Sequence, residues 1–296
     1  MAGTAEQTSV PRKQRGIALV MVLWVLILLG LVAASFLRET RLSTGIARNA
    51  SENAKAEALA EAGVYRAMLG LADGDVTAWR VDGTPYRFAL GDGTVVVRVQ
   101  DEGGKVDLNR APPPLLQGLL QAAGVEANAA RTLLDAIVDF RDPDRDRLPG
   151  GAEDPEYAAA GRDGGAKDAP FDAKEELLQV LGIDRVLYAA IAPYVTVHSQ
   201  RGRIDLMTAA PLLLQAVPDL TPQQREQIMA DRTSGEAPQT VRVSVATVRV
   251  EATTADGGRF IREAVIKRGR GGRQPFTILD WRQEWARTPA LAVAAP

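Results

Sequence analysis

No charged residue occurs between Ile17 and Leu37, and this run limits the chain more than any other feature. About 20 apolar residues in a helix reach roughly 30 Å, the thickness of a bilayer's hydrocarbon core. Arg12, Lys13 and Arg15 stand just before the run with no acidic residue close by. The positive-inside rule then keeps the short N-terminus in the cytoplasm and places everything after Arg38 on the far side of the membrane. A cleaved secretory signal and a buried core helix are the alternatives. The run is long for a signal's apolar region and ends without an A-x-A-like cleavage site. The chain has no cysteine, which excludes disulfides, thiolate catalysis and sulfur-ligated zinc in the exported part.

Gly16 sits between the basic cluster and the first apolar residue. The stretch Arg15-Gly16-Ile17-Ala18-Leu19-Val20 resembles the type IV pilin-like class. That resemblance implies that prepilin peptidase cuts after Gly16 and that Ile17 becomes an N-methylated mature residue one. Most members of the class carry Glu at the fifth mature position, where its carboxylate meets the N-terminal amine of a neighbouring subunit. Here that position is Met21. A buried amine without a counter-charge is costly, so a subunit lacking this Glu is poorly suited to docking beneath another of its kind. In the type II secretion family its lack marks the minor pseudopilin of the protein K family, which sits at the filament tip.

Beyond Arg38, Ala50, Ala54, Ala58 and Ala62 recur every fourth residue with Glu52, Lys55, Glu57 and Glu61 between them. This pattern predicts a continuing amphipathic helix whose narrow alanine face packs closely on something. Ala58-Leu59-Ala60-Glu61-Ala62-Gly63 resembles the stretch in pilin-like proteins where the first helix meets the globular head. Tyr86–Leu90 and Val95–Val99 read as a hairpin joined by Gly91-Asp92-Gly93. Alternating strands return at Val241–Val245, Val248–Thr253, Phe260–Lys267 and Phe276–Trp281. Between them the pattern is helical. One antiparallel sheet interrupted by a helical insertion is more economical than two consecutive domains, which would leave the first hairpin alone in water.

The fold expected is therefore α+β: a pilin-like long N-terminal helix packed on an antiparallel sheet, with a large inserted α-helical domain of SAM-like or helix-hairpin-helix-like character. The boundaries are a leader at 1–16, the transmembrane and long helix at 17–70, the first part of the β domain at 71–102, the insertion at 103–238, the second part of the β domain at 239–285 and a disordered tail at 286–296. A weak repeat lies inside the insertion. Val106-Asp107-Leu108-Asn109-Arg110-Ala111-Pro112 is echoed by Ile204-Asp205-Leu206-Met207-Thr208-Ala209-Ala210-Pro211, each before a Leu-rich helix. A third unit runs from Pro170 into Val180-Leu181-Gly182-Ile183 as a short helix closed by a Gly turn. Helix-hairpin-helix turns can bind DNA phosphates, so a membrane-anchored DNA-uptake protein is a rival reading. The charge opposes it, since residues 101–200 hold 18 acidic against 10 basic side chains. No nucleic-acid partner is expected.

Asp142-Pro143-Asp144-Arg145-Asp146 begins an acidic loop that runs on to Glu153 and Asp154. Alternating carboxylates can converge oxygens on a hard cation such as calcium. Asp142, Asp144 and Asp146 with Glu153 match the carboxylate spacing of an EF-hand. Arg147 stands where an EF-hand needs Gly, and Pro143 and Pro149 impose another path. A solvated charged loop is the alternative. Resemblance to the protein K family implies calcium in the helical domain, with Gly150-Gly151-Ala152-Glu153-Asp154 in a matching stretch. The ligands expected are Asp142, Asp144, Asp146, Glu153 and Asp154. For a second ion Asp135, Asp139, Asp163, Asp168 and Asp172 remain open.

No enzyme is read. The single histidine, His198, follows an extended stretch and reads as a surface residue, and aromatics at 5% are too few for a sugar cleft. The resemblance implies a minor pseudopilin in the inner membrane with a periplasmic domain. Its partners would be membrane lipid, prepilin peptidase, the minor pseudopilins I and J, and the pseudopilus filament they initiate. A minor pilin of a type IV pilus is a further reading.

Overall fold

The computed structural model describes residues 14–72, 79–234, 243–269 and 275–284, with the main chain alone at 14–18 and 36–43. The expected leader lies outside the described residues over 1–13, as do the side chains of Gly16 and Ile17 and the tail at 286–296. The chain divides into two compact units, Met1–Ala54 and Lys55–Pro296. The first helix, α1, is Gln14–Ala72.

In the first unit every described side chain from Leu19 to Ser35 is exposed. They include Leu19, Leu23, Trp24 and Leu28, and Met21 is 66% exposed. Among the described residues no helix is long and apolar enough to cross a membrane. The ends of the apolar run, at 17–18 and 36–37, fall where no side chain is described.

In the second unit, α1 buries Ala56, Ala60, Val64 and Ala67, spaced four, four and three residues apart as one helical face requires. This corrects the alanine face expected from sequence. Ala50, Ala54, Ala58 and Ala62 are exposed, and the buried face is the second alanine series, two positions on. Two interleaved alanine series have the same period, and spacing alone does not tell which one faces the sheet.

The buried face packs on a five-stranded antiparallel sheet of β1 (Asp82–Leu90), β2 (Gly93–Asp101), β5 (Val245–Thr253), β6 (Arg259–Arg268) and β7 (Phe276–Glu284), in that spatial order. Burial alternates residue by residue along β2, with Val95, Val97 and Val99 inward. Val248, Val250, Ala264 and Ile266 complete this core. The β1–β2 turn is Gly91-Asp92, with Gly91 at φ +59°, a conformation that favours glycine. The two strands expected at 241–245 and 248–253 are one strand, β5. Ser244 is a bend, and Val241 and Arg242 lie outside the described residues.

β2 and β5 are neighbours, yet residues 102–244 run between them. That segment has its own apolar core. It contains the short parallel pair β3 (Val106–Asp107) and β4 (Val195–Thr196). Its helices are α2 (Pro113–Ala122), α3 (Ala127–Arg141), α4 (Asp154–Ala159), α5 (Arg185–Ile191), α6 (Pro211–Ala216) and α7 (Pro222–Ser234). The sequence repeat has a physical cause. Asp107 accepts N–H bonds from Asn109 (2.9 Å) and Arg110 (3.1 Å), and Asp205 accepts one from Met207 (2.9 Å). Each aspartate folds a turn that delivers the chain into α2 or α6. The helix expected in the third unit is a 3₁₀ turn, Lys174–Gln179.

The helical segment meets the sheet through buried polar groups. Glu102, 2% exposed, accepts hydrogen bonds from Thr247 Oγ1 (2.6 Å), Thr196 and Lys105. Burial pushes its carboxyl up, but the Lys105 charge and these donors outweigh burial and hold it below the usual carboxylate range. His198, expected on the surface, is half-buried beside this junction. Its N–H donates to Thr196 Oγ1 at 3.0 Å.

Candidate functional site

Helix α3 ends at Arg141 with Asp142 as its C-terminal cap, so the acidic loop starts where the apolar side chains of α3 run out. Phe140 stacks on Phe171 at 5.1 Å, and Asn109 holds the Phe171 main chain from both sides, at 2.7 and 2.9 Å. Tyr157, 1% exposed, accepts the Leu181 N–H at 3.1 Å. These anchors bring the loop after α3, the start of α4 and the segment before Phe171 to one place.

Four carboxylates share that place. Asp139 is fully buried and accepts the Leu148 N–H at 3.2 Å. Glu153 is 4% exposed, and neither of its carboxylate oxygens has a hydrogen-bond partner. Asp142 Oδ1 and Asp168 Oδ1 are likewise buried and unpartnered. Asp168 sits at φ +51°, a region a non-glycine residue enters at some cost. Its other oxygen is 3.4 Å from the Arg145 guanidinium. Two glycines let acidic groups approach the main chain. A Cβ at Gly151 would fall 1.9 Å from Asp139 Oδ2, and one at Gly165 would fall 1.5 Å from Asp154 Oδ1.

Their ionisation reflects this crowding. Burial, then the nearby charges of Asp139, Asp168, Asp142 and Asp154, push the Glu153 carboxyl up to about 7. Burial, with Asp142 and Asp135 adding to it, pushes Asp139 up to about 6. Asp142 is raised by burial first and by Asp144 second. Unpaired buried carboxylates that repel one another are costly, and a hard cation with oxygen ligands would relieve both terms. The orphaned oxygens of Asp142, Glu153 and Asp168 therefore fit a calcium-type ion in chemistry. As they stand, no three acidic or histidine side chains among the described residues are gathered closely enough to hold a metal ion.

The set gathered in space differs from the set suggested by spacing. Asp142 and Glu153 are in both. Asp144 and Asp146 are exposed, and Asp144 Oδ1 accepts the Asp146 N–H at 3.0 Å, closing a local turn. Asp154 is exposed beside Glu153. Asp139 and Asp168, left open for a second ion, stand in the group itself. Asp135 instead accepts the Gly150 N–H at 3.0 Å, Asp172 pairs with Lys167 at 2.6 Å, and Asp163 is exposed. The signal for Asp168 was faint in sequence, because nothing local shows that residues 163–172 fold back onto α3.

The fold defined is α+β: a helix packed on an antiparallel sheet, with a helical segment carried between two adjacent strands and an acidic group within it. Residues 96–200 match the family model described as type II secretion system, protein K. The chain is 29% identical over 205 residues to the type II secretion system protein K of Klebsiella pneumoniae, a match covering 62% of each chain. It is 26% identical over 247 residues to that of Pseudomonas aeruginosa, covering 75% of this chain and 73% of the relative. Its fold is similar to a chain in the crystal structure of the GspK-GspI-GspJ complex from the type 2 secretion system of enterotoxigenic Escherichia coli. There the TM-score is 0.54 at 20% identity, over 84% of this chain and all of that one.

Proposed function

We propose that this chain is a minor pseudopilin at the tip of a type II secretion pseudopilus, assembling with the I and J minor pseudopilins to initiate the filament. The observation that carries this reading is the protein K match over residues 96–200, a stretch that includes most of the helical segment. In this reading the fold is pilin-like, and the segment between β2 and β5 is a SAM-like or helix-hairpin-helix-like insertion that caps the filament. The chain is made with a leader cut after Gly16 by prepilin peptidase, and Ile17 is N-methylated. The apolar run from Ile17 to Leu37 anchors it once in the inner membrane with the domain in the periplasm. Exposure of the described side chains from Leu19 to Ser35 supports this, because so long an apolar surface needs lipid or apolar subunits around it.

Calcium belongs to the same reading, and it would close the acidic loop. Asp142, Glu153 and Asp168 are the first ligands, with Asp139 beside them. Asp144, Asp146 and Asp154 are outer acids that add charge. A cation that binds the folded state alone adds about 2.7 kcal/mol at roughly 100 times its dissociation constant. Co-expression with tagged I and J proteins tests the assembly. The expected result is a stable three-protein complex, and recovery of I and J without this chain would refute it. N-terminal mass analysis of the membrane-extracted chain tests the processing and should give a methylated Ile17. A mature end within Ala33-Ala34-Ser35 would mean ordinary signal peptidase.

A further inference from the structure

The two repeated turns of the helical segment place arginines in one open cleft of about 690 Å³, lined by Arg110, Pro112, Arg201, Arg203, Ile204 and Asp205. Arg110 ends the first turn and Arg203 immediately precedes the second. Both are exposed, and among the described residues neither pairs with a carboxylate. Arg201 differs, since its Nη2 donates to Ser244 Oγ at 2.9 Å and its charge steadies the buried Asp101. The one acid in the lining, Asp205, has an oxygen committed to the Met207 N–H. Two free guanidinium forks therefore face an open cleft, beside a stretch, residues 101–200, that holds 18 acidic against 10 basic side chains.

We propose that this cleft docks a short acidic peptide segment of a partner protein. Guanidinium groups recognise carboxylates through paired N–H bonds, and Pro112 and Ile204 offer an apolar floor for the side chains between them. The volume suits a few residues. The excess of acidic side chains over residues 101–200 disfavours a long polyanion as the ligand. A short segment carrying its own apolar residues can meet both the arginines and the apolar floor.

The test uses the full chain in detergent micelles and fluorescence anisotropy at low salt. The probes are a short labelled peptide alternating Glu and Leu, the same peptide with Gln for Glu, and a labelled DNA duplex. The Glu peptide should bind and the Gln peptide should not. The double variant Arg110→Gln/Arg203→Gln should weaken binding at least about tenfold, with its melting temperature unchanged because both side chains are exposed. Arg185→Gln, which removes an exposed arginine elsewhere in the segment, should change nothing. No binding of the Glu peptide, or equal binding by the double variant, would overturn the proposal. Arginine-dependent binding of the duplex tighter than that of the peptide would also overturn it, making the cleft a phosphate surface.

Discussion

Glu153 and Asp139 are the residues whose chemistry is most displaced by their surroundings, and their protonation ties stability to pH. Both carboxyls are raised in the folded chain, to about 7 and about 6, so between pH 4.5 and 7 the folded state holds more protons than the unfolded one. Stability then falls as pH rises through that window, because each folded carboxyl must lose its proton in a buried, negative site. Below the unfolded values the penalty is absent, and above about 7 it is complete. In chelator, the melting temperature should drop on going from pH 4.5 to 7, and saturating calcium should remove most of the drop. Glu153→Gln should flatten the chelator curve and abolish most of the calcium shift. Asp146→Ala, on an exposed side chain, should leave that shift nearly intact. Calorimetry with and without calcium reads all four results, and a curve flat with pH in chelator would contradict the crowding argument.

Arg262 ties α1 to the sheet. It is 6% exposed, lies over the rings of Phe260 at 4.7 Å and Trp281 at 5.1 Å, and reaches Glu57 at 2.5 Å and Glu61 at 3.2 Å. Arg262→Ala leaves a void between two aromatic rings and should cost about 2 to 4 kcal/mol in denaturant unfolding. Arg262→Met keeps the apolar stack and should recover part of that loss. Within the helical segment, α2 touches α6 at Gly118, where a Cβ would sit 2.1 Å from the Ala216 carbonyl oxygen. Gly118→Ala should cost about 1 to 3 kcal/mol through overpacking; an unchanged midpoint would mean the two helices are not pressed together. The helix-plus-antiparallel-sheet composition was legible because alternation at Val95, Val97 and Val99 and the turn glycines are local signals. Which alanine series of α1 faces the sheet was not, since either has helical spacing. The acidic group was half legible. Asp142 and Glu153 stood out by spacing, whereas Asp139 and Asp168 join them only through the Phe140–Phe171 stack and the Asn109 clamp, which are long-range contacts.

As a whole molecule the chain pairs an apolar N-terminal segment with a sheet that carries its helical segment between two adjacent strands. In the proposed reading, Met21 leaves no carboxylate to meet the amine of a neighbouring subunit, and the helical bulk leaves no room for a further subunit above. Both features suit a subunit added first and once. Replacing Met21 with Glu should then allow some incorporation along the shaft, visible as additional labelled copies per filament. The most direct measurement is the position and number of labels on pseudopili assembled from the wild-type chain with its I and J partners, read by electron microscopy with a gold-tagged version. The account predicts about one label per filament, at one end. Labels distributed along the shaft would contradict it.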